Sequence, residues 1–160
     1  MPPNIKPITR KDKPAIMQIL HNTPEFKPAE VTIAEELIDC HLDDPVGSGY
    51  YILIAEVGSK VVGYICWGPT PLTEGTWDIY WIAVSREEQS KGTGKALLAA
   101  AEEKIKKSQG RLILIETSAK PEYEKTRQFH LSRGYNLISR IPDFYAPGDD
   151  MLTLQKRLTP

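Results

Sequence analysis

Long apolar runs are missing from this 160-residue chain, and no stretch approaches the ~20 residues that a membrane-spanning helix needs. An excess of one charge is missing too. The 20 Lys and Arg stand against 21 Asp and Glu, for a formal charge of −1, whereas a general nucleic-acid-binding domain is strongly basic. No nucleic-acid or membrane partner is therefore expected. Cysteine is scarce: Cys40 and Cys66 match no motif spacing, and both are expected to be reduced and partly buried rather than ligands or nucleophiles. His21 and His41 have no partner spacing either, and no metal site is expected. Met1-Pro2-Pro3-Asn4 lacks the charged and apolar regions of a signal peptide. With so few cysteines, that points to a cytoplasmic setting. Repeats, low-complexity segments and linkers are absent.

What is present is ordinary for a globular protein: 41% apolar and 26% charged residues, enough for one domain over residues 1–160 and its core. Ile5 to Ile8 alternates as a first strand. Thr9 or Asp12 can cap a helix with Ile16, Ile19 and Leu20 on its apolar face. After the proline-interrupted stretch 22–28, Thr32 and Glu35 match a capping box before Leu37, Ile38 and Leu42. Gly58-Ser59 joins the strands Tyr50–Val57 and Lys60–Trp67 as a hairpin. Trp77 to Val84 reads as a fourth strand, and Leu112 to Ile115 as a strand buried on both faces. Pro121 opens a last helix that Gly134 ends, and Tyr135–Ile141 and Met151–Leu158 flank a Pro-Gly loop. The order is β-α-α-β-β-β-α-β-α-β-β. The expected fold class is α/β (α+β), a mixed sheet with helices on both faces.

The most informative stretch is Gln89-Ser90-Lys91-Gly92-Thr93-Gly94, which follows the fourth strand. It precedes a helix with apolar residues at 97, 98, 101 and 105. A loop that opens a helix aims unpaired N–H groups and the positive end of the helix dipole at one point, which suits phosphate. Lys91 and Lys95 add charge, and Gly92 and Gly94 permit close backbone approach. A Walker A loop is excluded by Gln89 and Ala96, which replace its outer glycine and its Ser or Thr. A dinucleotide fingerprint is excluded by Leu97 at its third glycine. An ordinary glycine-started helix remains open on the loop alone.

Gln-x-x-Gly-x-Gly after a strand ending Ile82-Ala83-Val84 resembles the acyl-CoA pyrophosphate loop of the GNAT superfamily of N-acetyltransferases. The segment from Arg127 to Tyr135 (RQFHLSRGY) is similar to the family's helix-ending element, and the element order agrees. The resemblance implies a mostly antiparallel seven-stranded sheet whose fourth and fifth strands splay apart. It implies acetyl-CoA as cosubstrate and transfer to an amine by direct attack in a ternary complex. Ile82, Ala83 and Val84 would contact the pantetheine arm through their backbone, and Gln89, Ser90, Lys91, Gly92, Thr93, Gly94 and Lys95 would hold the pyrophosphate. The partners implied are acetyl-CoA and an amine substrate, with room for a homodimer.

Acetyl transfer needs a neutral amine, support for an oxyanion and a proton for the thiolate. Glu116, at the end of the buried strand, stands where several GNAT enzymes place a glutamate base. It also reads as a solvent-facing strand-end carboxylate. Asp78, about six residues before the end of the fourth strand and ~20 Å away along it, is expected at the rim. At position 130 the chain departs from the family, placing His130 where most members have a tyrosine acid. An imidazolium with a pKa near 6.5 could supply that proton. Alternatively His130 only contacts the sulfur region, with water or Tyr123 as the acid, or the acid is lost. That last case favours a non-catalytic acyl-CoA sensor. Substrate choice is expected to come from Glu25 and Phe26, and from the loop Asp143–Asp150.

Overall fold

The computed structural model describes residues 2–158; Met1, part of the opening read above, lies outside the described residues, as do Thr159 and Pro160. Seven strands form one sheet: β1 (Asn4–Pro7), β2 (Tyr51–Val57), β3 (Lys60–Pro69), β4 (Thr76–Val84), β5 (Leu112–Ser118), β6 (Asn136–Ala146) and β7 (Asp149–Arg157). Their spatial order is β1-β2-β3-β4-β5-β7-β6. Every neighbouring pair is antiparallel except β4 and β5, which are parallel. That exception follows from connectivity, because a helix crosses between them.

The helices are α1 (Lys13–His21), α2 (Pro28–Asp43), α3 (Thr93–Lys107) and α4 (Glu124–Ser132). On one face of the sheet α1 and α2 bury Ile16, Leu20, Val31 and Ile38 against Ile52, Ile54, Tyr64 and Cys66. On the other face α3 buries Leu97, Leu98, Ala101 and Ile105 against Leu53, Ile65, Trp67, Ile113 and Ile115. The period-2 alternation of a strand sends neighbouring residues of β2 and β3 into different cores. This explains why both read as continuous apolar runs.

β4 carries the feature that shapes the site. Its pairing with β3 slips, with Cys66 opposite Trp81 but Trp67 opposite Ile79, so Tyr80 is the extra residue of a β-bulge. Trp77 and Ile79 belong to the α3-side core before the bulge, and Ile82 and Val84 after it. The alternation has changed phase.

Four local expectations are corrected. α2 begins at Pro28, with Glu30 bonding back to the Lys27 N–H, so Thr32 lies inside the helix and bonds to the Pro28 carbonyl. A proline in the first helical turn outcompetes the later capping box. β5 extends to Ser118, because β7 pairs with it along that whole length. β6 continues to Ala146, leaving Pro147-Gly148 as the turn rather than a long loop. Cys40 is exposed, whereas Cys66 is fully buried and burial pushes its thiol well above the ordinary range.

Candidate functional site

β4 and β5 pair only from Thr76–Asp78 against Leu112–Leu114. Beyond that point β4 keeps β3 as its partner and β5 keeps β7. The facing edges of Ile79–Val84 and Ile115–Ser118 therefore diverge, and their main-chain groups open into a cleft of about 1040 Å³. The start of α2, the first turn of α3 and much of α4 complete its walls.

The loop at the wide end is built as its spacing suggests. Gly92 caps α3 with φ of 91°, and Ser90 is also left-handed at 65°. A Cβ on Gly92 would touch nothing, so glycine is needed there for its conformation rather than for space. On Gly94 a Cβ would meet the Phe129 ring at 3.4 Å, an ordinary contact. The first helical bond runs from the Ala96 N–H to the Gly92 carbonyl. The N–H groups of Thr93, Gly94 and Lys95 have no acceptor within the helix, which leaves them for an anion. Side chains of Lys95, Lys125 and Arg133 line the same cleft.

Ile82, Ala83, Val84, Gln89, Ser90, Gly92, Gly94 and Lys95 all line it. Lys91 does not: its exposed ammonium lies 4.0 Å from Glu88. Thr93 does not line the cleft either: the residue is only 1% exposed. The Val84 carbonyl already accepts a bond from Gln89 Nε2, at 3.0 Å.

Glu116 projects into the cleft two residues beyond the last parallel pair, Asp78–Leu114. It has no hydrogen-bond or ion-pair partner among the described residues. Desolvation by the cleft walls raises its carboxyl above the ordinary glutamate value, and the charge of Asp78 raises it further. Asp78 thus sits at the apex of the wedge rather than at the rim, anchored by a 2.6 Å bond from the Thr70 hydroxyl. Along a straight strand Asp78 is ~20 Å from Val84, whereas Glu116 enters from the neighbouring strand near the apex.

His130 is on α4, lines the cleft and is only 1% exposed. Phe129 and Tyr135 flank its ring edge to face, with centroids at 5.1 and 5.7 Å. Burial pulls its pKa down to about 4, and its Nδ1 has no partner. The expectation of an imidazolium titrating near 6.5 is corrected: at neutral pH the ring is neutral, because an apolar wall disfavours the charged form. Tyr123 is tied up as well. Its hydroxyl bonds to the Glu25 carbonyl at 2.9 Å and the Glu30 carboxylate at 3.2 Å, and burial raises its pKa first among several causes.

Residues of the segment 143–150 line the cleft beyond Glu116. Between Ile141 and Ala146 the β6 register jumps, and Asp143 adopts φ of 55°. Asp143 and Asp150 tie this excursion to β7 and the turn. Tyr145 thereby reaches the cleft from the outermost strand. Burial first, then the charges of Glu116, Asp149 and Glu30, pushes it up to about 12. Of Asp143, Asp149 and Asp150, only Asp149 lines the cleft; it accepts a 2.5 Å bond from Ser118 and lies 4.0 Å from Lys120. Pro142 within a strand, a residue that ladders expel to edges and bulges, was the available signal for Tyr145. Glu30 was signalled by its place two residues after Pro28.

Among the described residues no group of His, Cys, Asp or Glu could hold a metal ion, and no helix is long and apolar enough to cross a membrane. No curated protein matches the sequence. A GNAT-family protein from Desulfovibrio desulfuricans is 34% identical, with a TM-score of 0.94 over 98% of this chain and 99% of that one. Ard1 from Thermoplasma volcanium is 17% identical, with a TM-score of 0.80 over 100% of both chains. PaiA N-acetyltransferase from Thermoplasma acidophilum, solved in complex with coenzyme A, is 15% identical, with a TM-score of 0.77 over 99% of this chain and 100% of that one. At the latter two identities the likeness is one of fold. The model of the acetyltransferase (GNAT) family matches residues 14–135, and with the splayed strands and the glycine loop already described, the chain belongs to the GNAT acetyltransferase family.

Proposed function

We propose that this chain, as a single domain over residues 1–160, moves an acetyl group from acetyl-CoA to a primary amine by direct attack in a ternary complex. The observation that carries this reading is the junction of two features in one cleft. The open edge of β4 runs up to the free N–H groups of α3, and an unpartnered carboxylate, Glu116, faces the space beside it. The fit to acetyl-CoA rests on that edge, on the three free N–H groups and on the ammonium and guanidinium groups around them. When bound, it supplies an activated acetyl thioester.

The protein's own residues supply the rest. An alkyl amine is mostly protonated at neutral pH, with a reference pKa of ~10.4, and must lose a proton before it can attack. Glu116 collects it, directly or through water, and its raised carboxyl makes it a stronger base than an ordinary glutamate. The main-chain groups along Ile82, Ala83 and Val84 orient the donor. His130 contributes as a neutral N–H donor toward the departing sulfur, and the thiolate's proton comes from solvent, since a neutral imidazole is a poor acid. A cytoplasmic setting accords with this chemistry.

The test is thiol release from acetyl-CoA across a panel of polyamines, amino acids and peptides. Amine-dependent release that falls sharply in Glu116→Gln is expected. A second reading, a non-catalytic acyl-CoA sensor, is favoured by one observation, the buried neutral His130 in place of an acid. Calorimetric binding of coenzyme A with no turnover on any amine selects it.

A further inference from the structure

The cleft holds about 1040 Å³, and its charges are divided. Glu30, Asp78, Glu116 and Asp149 line it together with the rings of Tyr145 and Tyr123. Asp149 is compensated by Ser118 and Lys120, and Asp78 by the Thr70 hydroxyl. Glu30 has only the Tyr123 hydroxyl and, through one oxygen, the Lys27 N–H. Its charge therefore faces the cleft without a cation bonded to it. Tyr145 lies within electrostatic reach of Glu30, Glu116 and Asp149 at once, since all three charges act on its hydroxyl. The rings of Phe26 and Trp81, edge to face at 5.3 Å, add an apolar wall nearby.

Resting on the acetyl-transfer reading, we infer that the acceptor carries a second cationic group besides the amine that is acetylated. The space between Glu30 and the Tyr145 ring holds that group. One amine would have to serve Glu116, the proton acceptor. Glu30 enters from α2 and Glu116 from β5, so the two carboxylates reach the cleft from different elements. An ammonium there gains a carboxylate in a partly desolvated site and an aromatic face, the two environments that favour a cation most. The β6 excursion supports a built role for Tyr145. It brings Tyr145 to the cleft while leaving the residue 46% exposed, so its ring stays open to a ligand. The chemical class indicated is a diamine, or a longer polyamine, with its charges separated by a flexible apolar spacer.

The experiment compares 1,5-diaminopentane with 5-aminopentan-1-ol, equal in length and differing in the second charge. Both are titrated calorimetrically into the coenzyme A-loaded protein and assayed for thiol release from acetyl-CoA. The diamine is expected to bind and to be turned over (kcat/KM) ~10-fold or more better than the amino alcohol. That ratio should fall to within ~2-fold in Glu30→Gln and, independently, in Tyr145→Leu. Two variants on different elements guard against a folding defect in either. Equal affinity and equal kcat/KM for the two amines in the wild type overturns the second-cation site while leaving acetyl transfer intact. Preferential diamine binding without turnover of any amine upholds the site and overturns the acetyl-transfer reading instead.

Discussion

Gln89 donates from Nε2 to the Val84 carbonyl at 3.0 Å, and Lys125 reaches the Oε1 of the same side chain at 3.4 Å. The loop before α3 is thereby tied to both walls of the cleft, to β4 through Val84 and to α4 through Lys125. The amide offers a donor and an acceptor at once, which a carboxylate does not. Gln89→Glu should set a carboxylate against the Val84 carbonyl and beside the anion-binding N–H groups. Calorimetry is expected to show coenzyme A affinity falling by ~10-fold or more, roughly the loss of one hydrogen bond plus a new repulsion. Unchanged affinity would make Gln89 a bystander.

Gly92 holds φ of 91° at the N-cap of α3. Gly92→Val forces a β-branched residue into a left-handed conformation, at a cost of about 1–2 kcal/mol or more. Relief of that strain would rotate the free N–H groups of Thr93 and Gly94 away from their common target. Both a lower melting temperature and weaker coenzyme A binding are expected. Gly94→Ala meets Phe129 at only 3.4 Å and is the milder change. Equal effects of the two would contradict the conformational argument.

Glu116 must be ionised to accept a proton, so kcat/KM should rise as pH climbs through its raised pKa and then level off. Glu116→Gln should lower turnover by ~10²–10⁴ with little effect on coenzyme A affinity, and should remove that acidic limb. Asp78→Asn takes away a like charge that raises the carboxyl. The limb should then move to lower pH. A limb that stays put would show that desolvation alone sets the value.

His130 gives a stability signature separate from catalysis. Its folded pKa, about 4, lies below the unfolded value of ~6.5. Between those values the unfolded chain binds more protons, so stability is full above pH ~6.5 and is lost as pH falls toward ~4. The whole loss is on the order of 3 kcal/mol at 1.36 kcal/mol per pH unit. Urea unfolding of wild type and His130→Phe at pH 7.5 and 5 should diverge, with wild type losing more. Parallel losses would mean that the buried imidazole is relieved by opening of α4. In activity, His130→Ala should slow turnover modestly, and His130→Tyr should retain much of it. No basic limb near 6.5 is expected in the wild type.

The glycine loop was legible because its chemistry is local. A strand, glycines at fixed offsets and a 3.6-residue apolar period lie in one stretch of chain. Ile82 to Val84 and Glu116 were placed through the family resemblance, and the cleft does bring them together. What escaped depends on contacts distant in sequence. The desolvation of His130 is set by its packing beside Phe129 and Tyr135 and into the cleft wall, and no spacing encodes that. Asp78 was misplaced because its neighbour across the wedge, Glu116, comes from β5, and the pairing of β4 with β5 joins segments distant in sequence. The segment holding Tyr145 was read as a loop from its Pro, Gly and Asp content, although it pairs as strand at both ends.

The bulge at Tyr80 also dictates how β4 can vary. Up to Ile79 the odd-numbered positions fill the α3-side core, and from Ile82 the even-numbered positions do so. On the α3 side, a scan of polar substitutions along this strand should therefore show a broken rhythm, with intolerance at 77, 79, 82 and 84, while Ala83 is intolerant through the opposite core. Deleting Tyr80 would restore one uniform rhythm and let β4 continue straight beside β5. The strand would become more regular, and the chain would lose the gap into which its substrates must fit.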